Sequence, residues 1–143
     1  MILFDHHAFE ITNATEMRKN WSRFYDHVVR EKPLAITRNR DLAFLLSLSH
    51  LAILLEKYTL TVKYECDENG YYAAHIEEMD IVEGGHNFKE MVDNLAEGLM
   101  SYANDYFEFD FYRATNRKSH LPYVLHVLIQ KDKEAVKKLL SYA

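Results

Sequence analysis

Apolar residues recur at helical spacing near the start of the chain. Five of them, three or four positions apart, fall on one face of a predicted helix over residues 13 to about 30. These are Ala14, Met17, Trp21, Phe24 and Val28. Asn13 and Glu16 fit a capping box at its beginning. Pro33 prevents the helix from continuing, because the residue before a proline is driven towards extended geometry.

Two short β-compatible segments follow, over residues 34–37 and 42–47. Asn39 lies between them and tolerates a left-handed turn, so the two segments predict a hairpin. A helix over residues 51–56 is expected next, with Ser49 as its N-cap. Residues 9–11 are compatible with a brief edge strand.

From Tyr58 the pattern changes to strict alternation, with apolar residues at 58, 60, 62 and 64, which is typical of a half-buried strand. Asn69-Gly70 is a strong hairpin signal. Residues 71–76 then form the expected return strand and residues 80–83 a third one, before Gly84-Gly85 breaks the pattern. The prediction is an antiparallel sheet.

Helical spacing returns after the two glycines. Asn87 and Glu90 fit a second capping box, and eight apolar residues then hold one face over five turns. They are Phe88, Met91, Val92, Leu95, Leu99, Tyr102, Ala103 and Tyr106. Residues 123–129 after Pro122 predict another helix, and Asp132 would cap a last one over residues 133–142. The change of pattern at Tyr58 divides the chain into domains of residues 1–57 and 58–143, an α+β arrangement.

Charge is distributed unevenly along the chain. Residues 58–112 contain two Lys or Arg and thirteen Asp or Glu, whereas residues 113–143 contain seven and two. The contrast suggests segments with different partners, although solvated faces alone would also produce it. Cys66 is the single cysteine and no apolar run reaches the length of a membrane span, so a cytoplasmic protein without a membrane partner is expected.

The first domain carries more apolar surface than one helix and one hairpin can cover. A module of about 55 residues buries only about 60% of its unfolded surface. Dimerisation would bury the excess. The expected interface residues are Trp21, Phe24, Val28, Phe44 and Leu46.

Residues 11–22 read Ile-Thr-Asn-Ala-Thr-Glu-Met-Arg-Lys-Asn-Trp-Ser. This stretch resembles the opening of the Phd/YefM antitoxins, an Ile, a short polar step and then small-Glu-x-Arg-x-Asn-hydrophobic-Ser. Residues 33–38, Pro-Leu-Ala-Ile-Thr-Arg, are similar to their Pro-x-x-Ile-Thr-Arg segment. The resemblance covers about residues 9–56 and implies an αββα head that dimerises and binds DNA. By this resemblance Arg18 and Arg38 are the expected DNA contacts, with Lys19, Arg23 and Arg40 on the phosphate backbone.

The second domain, over about residues 58–112, resembles HicB-like antitoxin domains. Residues 70–74 are similar to their GGYVA strand, and residues 83–95 to their EGDTLEEALENA helix start. The resemblance implies a degenerate RNase-H-like sheet with a long helix, followed here by C-terminal helices, which contacts a toxin. Electrostatic complementarity to a small, basic, mRNA-cleaving ribonuclease would use Glu77, Glu78, Asp80 and Glu83.

The sequence therefore favours a type II antitoxin that neutralises its toxin by direct binding and represses its own operon as a homodimer on operator DNA, with tetramers left open. It is expected to be no enzyme and to hold no metal or cofactor. The alternative is a metal-dependent nuclease on an RNase-H-like core, because two-metal sites use clustered carboxylates. A plain dimeric interaction module is a third hypothesis.

Overall fold

The computed structural model describes residues 10–143. The chain divides into two compact units between Leu54 and Leu55, three residues before the end of the first domain expected from the sequence. Both units combine helices with a small sheet. None of the described helices is long and apolar enough to cross a membrane.

The N-terminal unit is built on a three-stranded sheet in the order β1-β2-β3, in which β1 runs parallel and β3 antiparallel to β2. A small core on one face of this sheet buries Met17, Phe24, Val28 and Leu34. The elements in chain order are β1 (Glu10–Asn13), α1 (Ala14–Lys19), α2 (Trp21–Arg30), β2 (Leu34–Arg38), β3 (Asp41–Leu45) and α3 (Leu48–Leu55).

The single helix expected over residues 13 to about 30 is wrong, because Asn20 separates two helices. Asn20 has backbone angles of φ −123° and ψ 36°, outside the helical range. Its side-chain amide donates to the carbonyl oxygen of Glu16 at 3.3 Å, the kind of local side-chain bond that competes with regular helix. The first cap is confirmed, since the Asn13 side chain accepts from the Glu16 amide at 2.9 Å.

The hairpin of β2 and β3 is confirmed, and Asn39 in its turn adopts a left-handed conformation with φ 56°. The expected start of the next helix is wrong. Helix α3 begins at Leu48, and Ser47, not Ser49, accepts a hydrogen bond from the backbone amide of His50 at 3.1 Å.

The C-terminal unit packs its helices on one face of a four-stranded sheet in the order β6-β5-β4-β7. Buried Leu60, Val62, Ala74 and Ile76 on the sheet meet the apolar face of α4. The elements are β4 (Leu60–Cys66), β5 (Tyr72–Ile76), β6 (Ile81–Gly85), α4 (Phe88–Glu108), two short 3-10 helices (Phe111–Arg113 and Thr115–His120), α5 (Leu121–Leu128), α6 (Lys133–Lys137) and β7 (Leu140–Tyr142).

The end of the chain departs from its prediction. Asp132 caps α6 as expected, accepting from the amide of Ala135 at 2.8 Å, but this helix ends at Lys137. The chain then continues as β7, parallel to β4, and the Leu60 amide donates to the carbonyl oxygen of Leu139 at 2.9 Å. A wholly antiparallel sheet with a final helix over residues 133–142 is therefore wrong.

Gly84 and Gly85 do not interrupt the sheet but belong to β6. A Cβ on Gly85 would lie 2.4 Å from the backbone nitrogen of Met91, so the missing side chain lets β6 approach the first turn of α4. The second cap is confirmed there. Asn87 accepts from the Glu90 amide at 2.8 Å, and the Glu90 carboxylate accepts from the His86 amide at 3.2 Å.

Candidate functional site

Two of the expected DNA-contacting arginines line one groove of the N-terminal unit. The groove has a volume of about 630 Å³ and lies between α1 and the end of β2. It is lined by Ala14, Thr15, Met17, Arg18, Ile36, Arg38 and Asn39. Neither Arg18 nor Arg38 forms an ion pair with any residue in the range 10–143, so both guanidinium groups are available to an anionic partner.

The other expected DNA contacts lie outside this groove. Arg23 pairs with the carboxylate of Glu10 at 3.3 Å and lies over the ring of Phe24. Lys19 is 3.9 Å from the Glu16 carboxylate and exposed, and Arg40 is exposed in the hairpin turn. Arg23 is thus occupied within the unit, whereas Lys19 and Arg40 remain accessible at the surface.

The expected dimer-interface residues do not form one surface. Phe24 and Val28 are each only 2% exposed and fill the unit's own core, so their assignment to an interface stays a prediction that the exposed surface of this unit does not support. Leu46 is half-buried, and Phe44 and Trp21 are exposed, Trp21 by 53%. The break at Asn20 turns α2 relative to α1. The stripe that α2 presents outwards is Trp21, Tyr25 and Val29.

The four expected toxin-binding carboxylates are also divided. Glu78 accepts hydrogen bonds from Thr61, and Glu83 lies against Gly98 of α4, on the helix-covered side of the sheet. Glu78 is thus used within the fold and Glu83 faces the core side, while the assignment of the four carboxylates to toxin binding stays a prediction. Glu77 and Asp80 are exposed, and Glu77 pairs with Lys63 at 3.4 Å.

Within residues 10–143, no three His, Cys, Asp or Glu side chains come together in a group that could hold a metal ion. The nuclease alternative, which depends on clustered carboxylates, therefore gains no support from the described residues. Cys66 is exposed and has no disulfide partner.

A polar cluster that the sequence did not predict lies beside the sheet. His120 and Tyr102 share a hydrogen bond of 2.6 Å between Nδ1 and the hydroxyl oxygen, and Arg117 lies over the Tyr102 ring. Burial and the nearby Arg117 lower the pKa of His120, whereas Asp80 opposes this shift. The isolated histidine in a polar stretch carried no signal of its burial, because the residues that cover it are distant in sequence.

Other side chains missed at the sequence level lie on the face of the C-terminal sheet opposite its helices. Lys63 is paired in register with His75, and His75 with Val82. All three are exposed. Strand alternation identifies them once the buried positions Val62, Ala74 and Ile76 are known.

Comparisons with known proteins give the family. A family model described as PHD-like, antitoxin of toxin-antitoxin, RelE/RelB, TA system, matches residues 9–142 and so spans both units. A crystal structure of an antitoxin part of a proposed toxin/antitoxin system from Syntrophomonas wolfei subsp. wolfei is similar, with a TM-score of 0.87 and 38% sequence identity over 94% of this chain and 98% of that one. A comparison with curated proteins finds no match. The chain belongs to this PHD-like family of antitoxins of toxin–antitoxin systems.

Proposed function

We propose that this antitoxin is a homodimeric autorepressor that binds operator DNA with its N-terminal unit and neutralises a toxin with its C-terminal unit. It acts by binding and not by catalysis. The observation that carries the DNA-binding half is the shared groove of Arg18 and Arg38, whose guanidinium groups have no ion pair within the described chain. Arginine suits both phosphate contacts and paired hydrogen bonds to guanine edges.

A dimer supplies the second pair of groove arginines that one N-terminal unit lacks. A single unit presents one pair of groove arginines, whereas a two-fold dimer presents two pairs to a palindromic site. The outward stripe of Trp21, Tyr25 and Val29 gives α2 an apolar face with which to meet a second copy. The resemblance to Phd/YefM antitoxins over residues 9–56 supports the same arrangement.

The toxin-binding half is supported by family membership and by the chain's composition. An antitoxin of this family implies a toxin partner. Residues 58–112 contain thirteen Asp or Glu and two Lys or Arg, which favours a basic partner. The electrostatic field of an acidic surface would steer and orient such a partner during association. A small, basic, mRNA-cleaving ribonuclease fits this requirement.

The DNA-binding proposal is tested with a duplex taken from immediately upstream of the gene. Fluorescence anisotropy would compare wild type with the double variant Arg18→Ala/Arg38→Ala. Because each arginine in such contacts contributes on the order of 1–3 kcal/mol, we expect at least tenfold weaker binding. The variant should also have a shallower dependence of log Kd on log salt, since fewer counterions are released.

Arg30→Ala provides the matched control. Arg30 is exposed at the end of α2 and does not line the groove, so its removal takes away a cation without touching the site. Binding by this variant should stay within about twofold of wild type, because a surface charge away from the contact contributes little. Equal DNA affinity in wild type and the double variant would refute the assignment of the groove.

A further inference from the structure

One face of the C-terminal sheet is not covered by any helix of residues 55–143. The helices α4, α5 and α6 all contribute to a core on the other face, against Leu60, Val62, Ala74 and Ile76. Since side chains alternate along a strand, the intervening residues of β4, β5 and β6 point away from that core. The uncovered face is lined by Lys63, Glu65, Ala73, His75 and Val82.

This face has a concave floor of small and apolar side chains. A groove of about 610 Å³ runs over it, with Ala73 and Val82 among its lining residues. Val82, the second residue of the edge strand β6, is 70% exposed. Tyr71 lies beside Gly84 of β6, since a Cβ on Gly84 would be 2.2 Å from the Tyr71 hydroxyl oxygen. Apolar residues and a tyrosine beside a shallow groove are typical of the centre of a protein interface.

The margin of the groove is acidic. Asp80 and Glu65 both line it, and neither forms an ion pair with any residue that the structure describes. Lys63 is the one Lys or Arg among the described residues that line the groove, and its ammonium group is 3.4 Å from the carboxylate of Glu77. The internal pair leaves Glu65 and Asp80 as the carboxylates of the groove outside any ion pair among the described residues, so the groove has a net negative potential.

We infer that this uncovered face, whose groove is lined by Glu65, Ala73, Asp80 and Val82, is the surface with which the C-terminal unit binds its toxin. The inference deepens the proposed function and rests on it. Its partner is a protein surface on which an apolar side chain is flanked by Lys or Arg. The apolar group packs on Ala73 and Val82, and the flanking cations meet Glu65 and Asp80. Glu78 and Glu83 take no part, because they lie on the other side or are bonded within the fold.

The test measures binding of the full-length chain to the protein encoded by the reading frame that adjoins its gene, by biolayer interferometry at several salt concentrations. The first variant, Glu65→Gln/Asp80→Asn, removes both charges while keeping side-chain size. Asparagine suits position 80, where φ is 53°. We expect at least tenfold weaker binding, mostly through slower association, and a weaker dependence on salt.

Val82→Arg is an independent variant on the floor of the groove. Val82 is so exposed that arginine fits without disturbing the core, and thermal unfolding would verify this. The matched control is Asp105→Asn/Glu108→Gln, which removes the same two kinds of charge from α4, where neither side chain forms an ion pair within residues 10–143. This control should bind within about twofold of wild type.

The outcomes separate the two levels of the proposal. If wild type binds the adjoining protein and both groove variants bind as tightly, the surface assignment is overturned while toxin binding stands. If the control loses as much affinity as the double variant, overall charge and not this face controls binding, and the assignment is again overturned. If wild type does not bind, the toxin-binding half of the proposed function fails and the surface assignment with it. Operator binding should be unchanged in every variant.

Discussion

Glu78 accepts three hydrogen bonds from Thr61. The Thr61 backbone amide donates to both carboxylate oxygens, at 2.8 and 3.0 Å, and its hydroxyl group donates to Oε1 at 2.7 Å. Thr61 lies on β4, and Glu78 lies in the turn between β5 and β6. Bonds to a charged acceptor are stronger than neutral ones, so this pair ties the turn firmly to the strand.

We expect Glu78→Ala to lower the free energy of unfolding by about 1–3 kcal/mol, because the half-buried Thr61 amide loses its acceptor. Urea denaturation followed by circular dichroism would measure this. Glu77→Ala is the control, since Glu77 forms an exposed ion pair with Lys63 and its loss should change stability by less than about 0.5 kcal/mol. Equal losses in the two variants would contradict the structural role assigned to Glu78.

The buried His120 predicts a loss of stability in mild acid. Burial, reinforced by Arg117, lowers its pKa below the ordinary value of 6.5, so the unfolded chain takes up a proton more readily than the folded one. The stability that neutral His120 contributes is therefore complete above pH 6.5 and is lost as the pH falls through the window below it. Urea midpoints measured at about pH 7.5 and about pH 5.5 should show this decrease.

The variant His120→Gln should flatten that pH dependence, because no group at this position then titrates. His86→Gln is its control, since it replaces an exposed histidine of the same unit and leaves the hydrogen bond between His120 and Tyr102 intact. A wild-type slope in His120→Gln would show that another group causes the acid sensitivity.

Local rules account for the parts of the fold that the sequence predicted. Helix α4 follows from its apolar spacing and from the cap at Asn87, both of which are local in sequence. Strand β7 needs Leu140 beside Leu60, about eighty positions away, and a stretch of three residues contains no sign of such a partner. The break at Asn20 depends on one side-chain hydrogen bond to Glu16, and the spacing of the apolar residues gives no information about such a bond.

The expectations for the site residues also differ in how well local sequence patterns could support them. Through the family resemblance Arg18 and Arg38 are both expected to contact DNA, which stays a prediction, and the structure places both in one groove. Phe24 and Val28 were assigned to a dimer interface because the first domain has more apolar surface than one helix and one hairpin can cover, whereas both lie in the core of the unit. Once α2 begins anew at Trp21, the neighbouring positions Tyr25 and Val29 face outwards instead. The use of Glu78 by Thr61 is a contact between turns and strands that composition cannot show.

Two glycines of the C-terminal unit predict opposite effects of the same substitution. Gly85→Ala would place a Cβ 2.4 Å from the Met91 backbone nitrogen, which the capped start of α4 holds in place. Overpacking against backbone typically costs about 1–3 kcal/mol, so this variant should unfold at a lower urea concentration.

At Gly98, a Cβ meets the end of the flexible Glu83 side chain, which can move aside. Gly98→Ala should be neutral or stabilising by up to about 1 kcal/mol, because alanine favours helix. Similar midpoints for the two variants would contradict the close approach of β6 to α4.

The outward stripe of α2 predicts how a homodimer forms. Trp21, Tyr25 and Val29 are four positions apart, so an antiparallel pair of α2 helices related by a two-fold axis would place Tyr25 at the axis and each Trp21 against the partner's Val29.

Tyr25→Arg puts two like charges at that axis and should give a monomer at about 10 micromolar, a concentration at which a micromolar dimer persists. Light scattering coupled to size exclusion would measure the mass. Tyr25→Phe keeps the ring and should remain dimeric. Since the proposed operator binding uses both arginine pairs, the Tyr25→Arg monomer should also bind DNA much more weakly. A dimeric Tyr25→Arg protein would exclude α2 as the interface.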